Sequence, residues 1–147
     1  SEQALQAFRE REQIVDAGRL APSGRNRQLW HFIVVTDKNM IQKLSIAAEW
    51  SANAGAMIAV VMDTASTYWV EDGSAAVENM LLAATALGYG TCWVEGNALP
   101  HEESIKGWLN IPDKLKLLTL IPVGVPVAWP NPKGKKPLDE VLHWETF

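Results

Sequence analysis

The sequence has a single cysteine, Cys92, in 147 residues. That excludes an intrachain disulfide, and a reducing, cytoplasmic setting is expected. Long apolar runs are missing as well. None reaches the roughly 20 residues that a membrane-spanning helix needs. No basic segment followed by an apolar stretch opens the chain, so no secretion signal is read. Positive charge is not in excess: the formal net charge is −4. That argues against general nucleic-acid binding, which relies on clustered positive charge. Familiar chemical motifs are also scarce. There is no Walker-type phosphate loop, and no Gly-x-Ser-x-Gly elbow of a hydrolase. "GYGTCW" begins like a dinucleotide fingerprint but fails it. Trp93 stands at the third glycine position, and the segment joins a helix to a strand rather than the reverse. His31, His101 and His143 have no metal-ligand spacing among themselves or with Cys92. Any chemistry therefore calls for a bound organic cofactor.

What is present is the patterning of one domain, residues 1–147, long enough to bury roughly 68–70% of its unfolded surface. Residues 2–20 read as a helix with Leu5, Phe8, Ile14 and Val15 on or near one face, ended by Pro22. "WHFIVVT" (30–36) reads as a strand, and Asp37 as the N-cap of a helix over 38–49. "AMIAVVMD" (56–63) is a buried strand. Residues 71–88 are the strongest helix, with Gly88 as its stop. A strand over 89–95, a helix over 100–111 begun by Pro100, and a strand over 115–126 follow. The helix 73–87 is apolar on most sides, so it is either central or covered by a second subunit. The arm 138–147 carries Leu138, Val141, Leu142, Trp144 and Phe147, which water should not be left to cover.

One connection stands out. "APSGRNRQLW" (21–30) packs Ser23, Arg25, Asn26, Arg27 and Gln28 between a helix and a strand. Helix stopping alone explains Pro22, Ser23 and Gly24. It explains Asn26 and Gln28 less well. A second cluster, Lys133, Lys135 and Lys136, suits a small anion better than a polymer, though from charge alone a solvated tail is the plainer reading.

"APSGRNRQLWHFIVV" resembles the first signature of the nitroreductase-like FMN flavoproteins. "EDGSAAVENMLLAATALGYGTCWVEG" resembles their second, and "IPVGVP" and "GKKPLDEVLHWE" their closing segments. The four stand in the family's order, over nearly the whole chain from about residue 14. The resemblance implies an α+β nitroreductase-like fold, with a mixed or antiparallel sheet flanked by helices. It implies an intertwined homodimer with the C-terminal arm on the partner. FMN is the implied cofactor, NADH or NADPH the electron donor, and a quinone, nitroaromatic or similar small molecule the acceptor.

Carried over position by position, the implied FMN-binding residues are Pro22, Ser23, Gly24, Asn26 and Gln28, from the opposite subunit. Glu95 and Gly96 fall beside the flavin N5 edge, and Lys135 and Lys136 at the phosphate. No catalytic acid or base and no metal are implied. Trp30, Trp69 and Trp93 are candidates for an aromatic site, and Cys92 reads as a buried packing thiol. One departure accompanies the match. The family's Arg-Arg-Ser-x-Arg-like start has no counterpart, and "FREREQ" stands closer to Ala21 than that motif would. The expectation is a short member or a shortened form, for which a flavin-binding module or a dimeric interaction domain without turnover is the alternative function.

Overall fold

Local signals account for most of the elements in the computed structural model, which describes residues 1–147. Helix α1 (Glu2–Arg19) is capped by the Ser1 hydroxyl. Strand β1 (Trp30–Val35) follows the polar connection, and the Asp37 carboxylate then caps α2 (Lys38–Leu44) by accepting the Met40 N–H. Strand β2 (Ala56–Asp63) leads into α3 (Trp69–Ala86). Strand β3 (Gly90–Thr91), α4 (Glu102–Leu109) and β4 (Leu115–Gly124) complete the body. Gly88, at φ 86°, stops α3 in a Schellman arrangement: its N–H bonds the Thr85 carbonyl, and the Tyr89 N–H bonds that of Ala84.

The four strands lie in the order β1-β2-β4-β3, every pair antiparallel. The sheet is thus antiparallel rather than mixed. β2 is its centre. Ala56, Ile58, Val60 and Met62 pack on one face with α1 and α3, while Met57, Ala59 and Val61 pack on the other with α2 and α4. This is the two-residue period of extended chain read from both sides. β4 breaks that period by a bulge: Val60 faces Thr119, but Val61 faces Leu117. Leu117 and Leu120 therefore share one face, and Leu118 and Ile121 the other.

Several expected boundaries move, for local reasons. The 38–49 helix stops at Leu44, because the Ser45 hydroxyl takes the Gln42 carbonyl and the chain tightens into short 3-10 turns. The 89–95 strand shrinks to two residues and a lone bridge between Val94 and Leu120. There the Glu95 carbonyl accepts the Ala98 and Leu99 N–H groups, so a turn replaces the ladder. α1 and α3 bury only one stripe each. Leu5, Phe8 and Leu20 of the first segment and Leu82 and Leu87 of the second remain exposed. After Gly124 the chain leaves the body, and Val125, Val127, Trp129, Trp144 and Phe147 are all exposed.

Candidate functional site

The connection between α1 and β1 is wired for shape. The Ser23 hydroxyl accepts the Gln28 N–H at 3.0 Å, closing the loop on itself. Arg25, Asn26 and Gln28 all have φ 54°, in the left-handed region. Each such non-glycine residue costs about 1 kcal/mol or more, with Asn the most tolerant. Three in four positions are held by tethers to the segment that precedes and opens α3. The Gly24 N–H donates to Asp72 Oδ1 at 2.8 Å, and Arg27 Nη1 donates to the Ala65 carbonyl at 3.0 Å. The Tyr68 ring lies against Gly24, where a Cβ would stand 3.0 Å from Cδ2. Ser23 and Gly24 thus have a structural task. The Asn26 side chain has no partner within the chain, and the Gln28 amide donates only to the Asn26 carbonyl.

Glu95 and Gly96 lie elsewhere. They follow β3, at the edge of the sheet opposite β1. Three strand spacings, roughly 14 Å, separate the two edges. The chain does not bring the two halves of the implied site together by itself. Gly96 lines a cavity of about 210 Å³ with Trp50, Trp93 and Cys92. This is smaller than the roughly 300–1,000 Å³ of ordinary ligand pockets. The Trp93 indole donates to the Glu95 carboxylate at 2.9 Å, which fixes that wall. A Cβ on Gly96 would meet nothing within 4 Å, and its φ is not in the left-handed region. Its own chain gives no reason for glycine there.

Three expectations about side chains are corrected. Cys92 is exposed, just past the end of β3 at Thr91. Trp30 is buried and stacks on Phe32, two residues along the same strand face, and Trp69 packs against the same core. Trp93 borders a cavity, and Trp50 joins it from the 3-10 turn 49–53. Lys135 and Lys136 are exposed on the arm and form no hydrogen bond or ion pair within the chain. A larger concavity, about 770 Å³, is none of these places. It runs between α1 and the unpaired edge of β1, with Phe8, Arg9, Arg11 and Val34 in its walls.

Two groups that sequence reading missed tie the helices down. Asp72 is buried in the first turn of α3. Glu10 on α1 accepts the Tyr89 hydroxyl and the Gln6 amide. The Tyr89 bond chiefly, then the Gln6 bond, holds the Glu10 carboxyl below its ordinary range. The same Glu10 bond, with some burial, raises the Tyr89 phenol.

The family model described as "Nitroreductase family" matches residues 8–68 and 43–125, which span both signature segments. The chain belongs to the nitroreductase family. The "Putative NADH dehydrogenase/NAD(P)H nitroreductase" of Archaeoglobus fulgidus is 42% identical over 126 residues, covering 78% of this chain and 71% of that protein. A crystal structure of a protein of the same name from Bacteroides thetaiotaomicron superposes with a TM-score of 0.86 at 30% identity, over 95% of this chain and 85% of that one. An FMN-dependent nitroreductase from Clostridium difficile superposes at 0.83 with 27% identity, over 95% and 88%. The α+β arrangement described above is thus the nitroreductase fold.

Proposed function

We propose that this nitroreductase-family chain is an FMN-dependent NAD(P)H oxidoreductase, built as one domain over 1–147 and working as an intertwined homodimer in the cytoplasm. What carries the reading is the likeness to the Clostridium difficile FMN-dependent nitroreductase over 95% of the chain. The name of the Archaeoglobus relative supports the choice of NADH or NADPH as donor. FMN, when bound, would supply two-electron hydride chemistry at N5 between NADH or NADPH as donor and a quinone, nitroaromatic or similar small acceptor.

The residues fit such a group. Asn26 offers an amide that its own chain leaves free, on a loop whose shape is fixed in advance. Gln28 adds a second amide, and Pro22, Ser23 and Gly24 set the approach of the backbone. Gly96 leaves open the space that a side chain would fill. In this reading the loop of one subunit and the Glu95–Gly96 turn of its partner share one flavin, which suits two half-sites at opposite edges of the sheet. Lys135 and Lys136 neutralise the phosphate as point charges. Trp93 and Trp50 exclude water. No side chain is asked to move a proton during flavin reduction, so the protein acts by positioning and electrostatics.

The test is turnover by protein reconstituted with FMN, using NADH and NADPH in turn with a quinone and a nitroaromatic as acceptors. Oxidation of either nicotinamide that requires both FMN and acceptor is expected. Bound FMN with no turnover for any pair would leave only a flavin-binding module.

A further inference from the structure

Asp72 belongs to none of the expected contacts, yet it is only 5% exposed. It stands in the first turn of α3, where the helix dipole favours an anion. Oδ1 accepts the Gly24 N–H from 48 positions away, and Oδ2 has no partner. A buried carboxylate with one free oxygen is costly if stability is its only purpose. The amide it holds comes directly before Arg25 and Asn26, both at φ 54°. Arginine does not keep that conformation unaided. Tyr68, one turn before Asp72, closes on Gly24 from the side. We infer that Asp72 is a positioning residue: its bond to the Gly24 N–H holds the loop in the left-handed form that presents Asn26. The geometry stands by itself; only the consequence for flavin rests on the function proposed above.

Two measurements test this on wild type, Asp72→Ala and Asp72→Asn, each with and without Asn26→Ala. One is amide hydrogen exchange of Gly24 and Asn26–Gln28 in flavin-free protein, and the other is FMN titration. Asp72→Ala should speed exchange at those amides by about tenfold or more, leaving β2 unchanged. It should weaken FMN by about tenfold. Asp72→Asn keeps an oxygen for the Gly24 N–H and should stay within about threefold of wild type. Asn26→Ala should cost less affinity in the Asp72→Ala background than in wild type, because the amide is no longer presented; independent sites would add. Should Asp72→Ala not fold, Asp72→Ser takes its place with the same expectations, its hydroxyl being too short to reach.

Unchanged exchange in Asp72→Ala, additive losses, or an Asp72→Asn as impaired as Asp72→Ala would overturn the inference. A wild type that binds no FMN, with loop exchange still governed by Asp72, would sink the proposed oxidoreductase function and leave the positioning role standing.

Discussion

At the scale of single residues, the loop separates shape from contact. Ser23 and Gly24 spend their polar groups inside the chain, whereas the Asn26 side chain has none of its own chain to bond. Asn26→Ala should therefore leave the fold intact. If Asn26 bonds the flavin, the loss of about 1–3 kcal/mol typical of such a hydrogen bond weakens FMN roughly five- to more than a hundredfold. Flavin fluorescence titration reads this, and affinity unchanged from wild type in both Asn26→Ala and Gln28→Ala would refute the assignment. Lys135 is a different kind of contact, a point charge on an exposed arm. Lys135→Ala should weaken FMN, more so at low salt, and leave riboflavin nearly untouched. Equal effects on both ligands, or none on either, would mean the phosphate lies elsewhere, with Arg25 or Arg27 next in line. The candidate polar residues of the loop were legible in the sequence because their types are unusual for a helix stop. Asp72 was not, because its role depends on a contact across 48 positions. Nor was the exposure of Cys92, which depends on where β3 ends.

At the scale of elements, periodicity and punctuation were good guides wherever a local signal acted. Asp37, Gly88 and the two-sided run of β2 behave as their types suggest. Boundaries failed where side chains or turns took over backbone partners, as at Ser45 and Glu95. The continuous apolar run of β4 hid its bulge, since a strand buried on both faces shows no alternation to break. The α1–α3 layer offers two tests. Gly73 faces Leu118 and Met62 so closely that a Cβ would clash with the Leu118 methyl. Gly73→Ala should cost about 1–3 kcal/mol by overpacking, measured by urea denaturation. The second concerns pH. Glu10 titrates below its ordinary 4.5 in the fold, so its bond stabilises above that value and is lost as pH falls through the lowered one. Tyr89 titrates above its ordinary 10.0, so the same bond is present below that value and lost as pH rises through the raised one. Tyr89→Phe should give a small loss of thermal stability near neutral pH that fades toward acid. A loss constant from acid to neutral pH would contradict this. The pair is only half-buried, so solvent screening keeps the effect modest.

At the scale of the whole molecule, one chain leaves much undone. The outer sides of α1 and α3 show Leu5, Phe8, Leu82 and Leu87, β1 has a free edge, and the arm carries Trp144 and Phe147 into water. A second copy is the economical cover for all of them, and it would also bring the loop of one subunit toward the Gly96 turn of the other. Sedimentation at micromolar concentration should give a dimer. A stable monomer with the α3 amides protected from exchange would contradict it. The fold was readable because burial patterns are local; the proposed dimer rests on apolar surface that one chain leaves uncovered. The central claim remains the passage of electrons from nicotinamide through bound flavin. Its most direct measurement is the visible spectrum of the FMN-loaded protein, without oxygen, on adding NADH and then NADPH. Bleaching of the oxidised flavin band by at least one of them, reversed by a quinone, is the predicted result. A flavin that stays bound and fully oxidised with both would contradict the account.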